Sequence, residues 1–139
     1  MAQPGYRTKQ RMVTLTVRHP VTGSVKNFTC RTKSGGGIAG NAEKAFLGGM
    51  TPQVSIGGDP ERDDITLTIA YTDAVRADYN WLDALAGRGE ATVTEQLNGV
   101  GGTDVFTGIV DQVNPPDYDA ASNDLQELEV VVSANAAKS

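Results

Sequence analysis

Along most of this chain apolar and polar positions alternate with a period of two, interrupted once by a stretch of period 3.6. From Asp64 to Tyr71, Ile65, Leu67, Ile69 and Tyr71 share one face while Thr66, Thr68 and Ala70 share the other, the pattern of a half-buried strand. Thr72 and Asp73 can each cap a helix, and the residues from Ala74 to Ala86 continue it until Gly87 supplies a left-handed stop. At about 100° per residue, Ala74, Val75, Tyr79, Trp81, Leu82, Leu85 and Ala86 form one broad apolar stripe, opposite Asp73, Arg76, Asn80 and Asp83. From Glu90 to Leu97 the period returns to two, with Ala91, Val93 and Leu97 against Thr92, Thr94 and Gln96. A helix lying across a sheet is the expected arrangement.

The flanking segments extend this pattern. Arg11 to Arg18 and Ser24 to Arg31 predict a hairpin turning through Pro20-Val21-Thr22-Gly23. Pairing His19 with Ser24 sets Val17 opposite Lys26, Leu15 opposite Phe28 and Val13 opposite Cys30, which gathers most of the apolar side chains on one face. In that register Cys30 is a packed core residue and His19 a turn residue, too far apart for a Cys/His catalytic pair. Thr51 to Ile56 predicts a short strand. Thr103 to Val113 predicts another, whose inward face the pattern leaves ambiguous. In the last strand, Leu125 to Ser133, Leu128, Val130 and Val132 oppose Glu127, Glu129 and Val131. Thr32 to Met50 reads as an irregular glycine-rich loop suited to interaction. The expected fold is mainly β: a β-sandwich or half-barrel of two packed sheets, with one flanking helix over about 73–86 and a long loop after the first hairpin. Residues 1–10 read as a flexible arm, 11–134 as one domain, and 135–139 as a fraying tail.

Composition narrows the function classes. With 139 residues, 16 of them Gly and 21% charged, the chain suits one β-rich domain with a single core. No run is long enough to span a membrane, and residues 1–10 contain no apolar signal region. A lone cysteine, Cys30, rules out an intrachain disulfide and a cysteine metal cluster. Asn27-Phe28-Thr29 matches a glycosylation acceptor by chance. Gly35, Gly37 and Gly40 fit the spacing G-x-G-x-x-G, but a following helix has room only from Asn41 to Leu47 before Gly48 and Gly49 end it. No βαβ unit surrounds the glycines, so dinucleotide binding is rejected. Asp59, Glu61 and Asp63 alternate as in a calcium loop. Asp64 and Ala70 occupy the positions that would need Gly and the last carboxylate, which leaves a solvated acidic turn. One histidine, one cysteine and carboxylates confined to turns and wet faces assemble no catalytic, cofactor or metal site. Asp78 interrupts the helix's apolar stripe, and needs either a partner, a position at a subunit edge, or a way out to water.

Charge is unevenly placed. Residues 1–42 hold seven basic residues (Arg7, Lys9, Arg11, Arg18, Lys26, Arg31, Lys33) and no acid. Residues 43–139 hold all 17 acids against five basic residues and so stand at −12, giving the net −5. Basic strands beside acidic ones within one fold would account for this, as would head-to-tail self-association. A nucleic-acid-binding basic arm is disfavoured by the excess of acids and the lack of interleaved aromatics.

The glycine-rich loop after the first hairpin, the strand feeding the Trp81 helix, Phe106-Thr107-Gly108-Ile109-Val110, Val113-Asn114-Pro115-Pro116 and the closing Leu128-Glu129-Val130 strand resemble the tail tube (major tail) proteins of tailed bacteriophages, over about Arg11 to Ala134. That resemblance implies a structural, non-enzymatic protein without cofactor, made in the bacterial host cytoplasm and resident in the virion tail. It implies hexameric rings whose inner sheets join into one barrel, stacked into the tube through which viral DNA is ejected. Partners would be further copies and other tail components such as tape measure, tail terminator and distal tail proteins, with DNA only as transient cargo and no membrane. The family's inter-ring loop falls by position on Lys33 to Gly49, with Lys33, Gly35, Gly36, Gly37, Ile38, Gly40 and Asn41 as its candidate residues. Its acidic and polar lumen lining falls on Thr66, Thr68, Thr92, Thr94, Glu127 and Glu129, and Asp78 becomes a candidate subunit-edge group. The alternative is a monomeric β-sandwich module recognising a carbohydrate or a protein, which needs a concave aromatic surface.

Overall fold

The structure is a computed structural model and describes residues 11–45, 48, 52–97, 103–116 and 126–138. In chain order these form β1 (Arg11–Arg18), β2 (Val25–Cys30), β3 (Thr32–Gly35), β4 (Ile38–Ala39), β5 (Glu43–Ala45), β6 (Val54–Ile56), β7 (Glu61–Arg62), β8 (Ile65–Ala70), α1 (Asp73–Ala84), β9 (Glu90–Leu97), β10 (Thr103–Asn114) and β11 (Glu127–Lys138). Residues 1–10, the proposed flexible arm, lie outside the described residues.

Seven strands make one antiparallel sheet in the order β2-β1-β9-β10-β11-β8-β3. β2 and β3 are separated in sequence by Arg31 alone, yet they occupy its two opposite margins. One almost continuous strand therefore serves both edges, and the sheet has to curl to allow it. Where the margins meet, the Arg31 N–H donates to the Thr68 carbonyl at 2.7 Å. Both layers of the half-barrel are thus supplied by one curled sheet.

Inside the curl Leu15, Val17, Ile65, Leu67, Val93, Val110, Leu128, Val130 and Val132 are fully buried, with Leu82 of α1 and its C-cap Leu85 among them. Each such side chain contributes roughly 1.5–3 kcal/mol through removal from water. The alternation on β8, β9 and β11 falls as the sequence pattern requires. The β1–β2 register is the one read from the hairpin, with Val17 opposite Lys26, Leu15 opposite Phe28 and Val13 opposite Cys30. His19 anchors the turn: its Nδ1 accepts from the Val21 and Thr22 amides, both at 3.1 Å.

β10 resisted assignment because its pairing with β11 shifts register twice, between Phe106 and Gly108 and between Val110 and Gln112. The second shift inserts a residue into β10, so the inward position passes from Val110 to Val113 and strict alternation fails.

Three expectations change. The tail does not fray at 135, since β11 runs to Lys138 with the carbonyls of Asn135 and Ala136 held by Arg62. The described part of Thr32 to Met50 is not an irregular loop: β3 joins the main sheet, β4 pairs with β7, and β5 pairs with β6. The short segment from Asn41 that could have been helical contains β5. On α1, capped by Thr72 accepting from the Val75 amide, Ala74 and Ala86 are exposed. The helix inserts its C-terminal half, Leu82 and the following Leu85, and is pinned there by Gly87 N–H to Val110 O at 2.6 Å and Val110 N–H to Gly89 O at 2.9 Å.

Candidate assembly surface

Between β3 and β8 the described residues 36–45, 48 and 52–64 leave the sheet as an arm that contains the two short ladders β4–β7 and β5–β6. Its root is fixed by geometry only glycine permits. Gly35 has φ +84°, and a Cβ there would meet the Asp64 carbonyl oxygen at 2.1 Å. Gly36, also at positive φ, follows at once.

Arg62 then clamps the arm to the body. Its Nη1 donates to Gly36 O at 2.7 Å, its Nε to Asn135 O at 3.1 Å and its Nη2 to Ala136 O at 2.8 Å. Asn135 and Ala136 lie on β11 beyond its last pairing with β8 at Val132, so the guanidinium satisfies carbonyls where a neighbouring strand is missing. The same guanidinium lies 5.1 Å from the centre of the Phe106 ring, and Lys33 Nζ lies 4.9 Å from it. Lys33 also pairs with Glu95 at 3.3 Å, where the two side chains are only 13% and 6% exposed. Glu95 therefore occupies the core face of β9, at the same parity as Ala91 and Val93. Sequence reasoning passed over it by taking Leu97 as the next apolar position. A charged residue standing on the apolar parity was the signal.

Of the loop candidates, Lys33 and Gly35 belong to β3, Gly36 and Gly37 to the root, and Ile38 to β4, with Gly40 and Asn41 beyond it. Asn41 Nδ2 donates to Asp59 O at 2.6 Å across the arm. Ile38, Val54 and Ile56 are 55%, 41% and 49% exposed there, an apolar content that the arm itself leaves open to water.

The six lumen candidates all project from the outward face of the sheet, in two groups separated by β10. Thr68 stands opposite Glu129 and Thr66 opposite Val131 on the β8–β11 side. Thr92 and Thr94 lie on β9, in rows that run Thr16–Thr92–Thr107 and Thr14–Thr94–Val105 across β1, β9 and β10. Asn27 Oδ1 accepts from Thr16 Oγ1, and Asn135 Nδ2 donates to Thr107 Oγ1, which extends the first row over five strands without a charge. Glu127 is paired with Arg31 at 3.2 Å and Glu129 accepts from Asn114 Nδ2 at 3.1 Å.

Asp78 has an internal partner: its carboxylate pairs with Lys26 of β2, whose ammonium also lies 5.4 Å from the Trp81 ring centre. Near it an open, mostly apolar cleft of about 370 Å³ runs between α1, β2 and β8, lined in part by Phe28, Arg31, Ile69 and Val75. No exposed aromatic platform accompanies it among its lining residues. Cys30 is half-buried against the core, and desolvation pushes its thiol up to about 11.

The described ion pairs, Arg18–Glu90, Lys26–Asp78, Arg31–Glu127 and Lys33–Glu95, all join a basic residue of the first 42 to an acid from the rest of the chain. Much of the charge asymmetry is consumed within the fold.

No family model matches the chain, and no curated protein matches it in sequence. Among solved structures it is similar to a chain of the anti-feeding prophage (AFP) baseplate, with TM-score 0.69 and 12% identity over 97% of this chain and 94% of that one. It is similar to a chain of the PVC sheath/tube terminator of an extracellular contractile injection system in its extended state, with TM-score 0.70 and 13% identity over 97% and 96%. The anti-feeding prophage tube-terminating cap gives TM-score 0.68 and 15% identity over 97% and 90%. At these identities the likeness establishes a shared fold.

Proposed function

We propose that this protein is a structural, non-enzymatic subunit of a phage-tail-type particle, assembling with copies of itself as stacked hexameric rings that form or end a tail tube. The observation that carries the proposal is the end-to-end fold likeness to chains of tail-like injection assemblies, which leaves almost no part of either chain unmatched. The arm supports it independently. It exposes Ile38, Val54 and Ile56 while Arg62 and Gly35 hold its root rigidly, as suits a projection offered to a neighbouring ring. Lys33, Gly36, Gly37, Gly40 and Asn41 then set the root and course of the inter-ring contact.

The outward sheet face bearing Thr66, Thr68, Thr92, Thr94, Glu127 and Glu129 is assigned to the channel. Hydroxyls without free cations let a polyanion such as DNA pass without adhering, and the carboxylates repel it. Tape measure, terminator and distal tail proteins are the partners such a tube requires.

Negative-stain microscopy of the purified chain across a concentration series, with its mass in solution, tests the proposal. Rings or tubes with six subunits around are the expected result. A strict monomer at every concentration, also in the presence of preformed tail tips, overturns it.

A further inference from the structure

The large apolar side chains that the described residues leave open to water include two groups. Ile38, Val54 and Ile56 lie on the arm. Val21 and Val25, 82% and 52% exposed, lie at the turn of the first hairpin, with Pro20 exposed beside them. An apolar residue on a loose turn would mean little. This turn is held. The His19 N–H donates to Ser24 O at 2.8 Å and the Gly23 N–H to His19 O at 3.0 Å, while Nδ1 of His19 accepts from the Val21 and Thr22 amides. Val21 is therefore displayed on a preorganised tip, the form in which a contact loses least conformational entropy on binding.

Topology puts the two groups far apart. β2 and β3 make a nearly continuous run from Val25 to Gly35, broken only at Arg31, so the chain travels roughly 30 Å from the turn to the root of the arm. Gly35 and Arg62 fix that root, and both groups stay exposed within one chain, so a second copy is the partner that can cover them. Their chemistry matches. On the β5–β6 ladder Glu43 pairs with Ile56 and Ala45 with Val54, which sets a carboxylate beside two apolar side chains on one face. At the turn Arg18 stands opposite Val25 with its side chain 56% exposed. Its guanidinium gives Glu90 one hydrogen bond and keeps donors for a second acid.

We propose that the turn of the first hairpin is the receiving surface for the arm of a copy in the next ring, with Pro20, Val21 and Val25 packed on Val54 and Ile56 and Arg18 turned to Glu43. This rests on the stacked-ring reading and adds a direction to it. Donor and receiver are different patches of each copy, so the contact is heterologous and repeats without closing. One end of a tube then presents arms and the other presents turns. Each contact is small, and the copies of a ring make it together, which multiplies its strength.

Two double variants of the full chain test it: Val21→Asp/Val25→Asp in the turn and Val54→Asp/Ile56→Asp on the arm, followed by negative-stain microscopy and sedimentation. All four positions are exposed, so each variant should keep the wild-type urea midpoint. Each alone should form rings that do not stack. Mixed in equal amounts they should give paired rings of twice the mass and nothing longer, because the arms of the turn variant find intact turns on the arm variant while the other two faces are spoiled. Tubes from the turn variant, or a mixture that stays as single rings, overturn this contact and leave the ring reading standing. A folded turn variant that loses its rings overturns it too, since the turn then acts within a ring. A wild-type chain that forms no rings, also with preformed tail tips present, overturns both.

Discussion

Lys33 is held by one acid and one ring, and its removal tests how the core tolerates Glu95. Breaking a buried pair from one side leaves a desolvated charge, at a cost of about 3–5 kcal/mol, while replacing both partners with apolar groups is close to neutral. Lys33→Met should therefore lower the urea midpoint sharply, and Lys33→Met/Glu95→Leu should recover most of the loss. If the double variant is no more stable than the single one, the pair is not the dominant interaction at this site. Cys30 gives a prediction with a definite sign. Burial pushes its folded thiol up to about 11, from an ordinary value of 9.0. The unfolded chain thus loses this proton first, so the contribution of Cys30 to stability is full below pH 9 and drains away between pH 9 and 11. Cys30→Ala should flatten that alkaline loss of stability. Alkylation of the native thiol at pH 8 should be at least about tenfold slower than in urea, because the thiolate is the reacting species.

Among the elements, the arm depends most on a single position. Gly35 combines a positive φ with direct approach to the Asp64 carbonyl, so Gly35→Ala meets both left-handed strain and a backbone clash. A loss on the order of 3 kcal/mol is expected, together with faster proteolysis at the arm and faster exchange of the Arg62 guanidinium protons as its clamp on the Asn135 and Ala136 carbonyls loosens. Unchanged guanidinium exchange would show that the clamp does not rely on the root geometry. Of the two cap residues the sequence offered for the helix, Thr72 takes the position, accepting from the Val75 amide, and Asp73 opens the first turn. The helix's apolar stripe was overdrawn only at the two ends, since Ala74 and Ala86 are exposed while Val75, Tyr79, Trp81, Leu82 and Leu85 pack on the core.

At the scale of the whole molecule, charge and channel belong together. Replacing Glu127 and Glu129 with lysine puts cations on the face assigned to the channel, and frees Arg31 from its partner. Ring assembly should survive, since exposed pairs contribute under about 1 kcal/mol, while DNA leaves particles built from the variant more slowly. Unchanged ejection kinetics would count against that face lining the channel.

The sequence by itself determined whatever short-range periodicity controls: the strands β1, β8 and β9, the helix with its cap, and the first hairpin's register, each set by which residues neighbours can bury together. It also exposed the charge asymmetry and the tail-tube resemblance. Only the tertiary structure decided that one curled sheet makes both layers, because β2 and β3, adjacent in sequence, pair at opposite margins, β2 with β1 in the first hairpin and β3 with β8 some 30 to 36 residues on. It alone decided that the glycine-rich segment contains an arm of short ladders, whose strands are only two or three residues long and carry no alternation long enough to register. The Lys33–Glu95 pair and the Arg62 clamp were equally hidden. A charge is stable in such a place only when a distant strand supplies its counterpart, and proximity of that kind is written in topology.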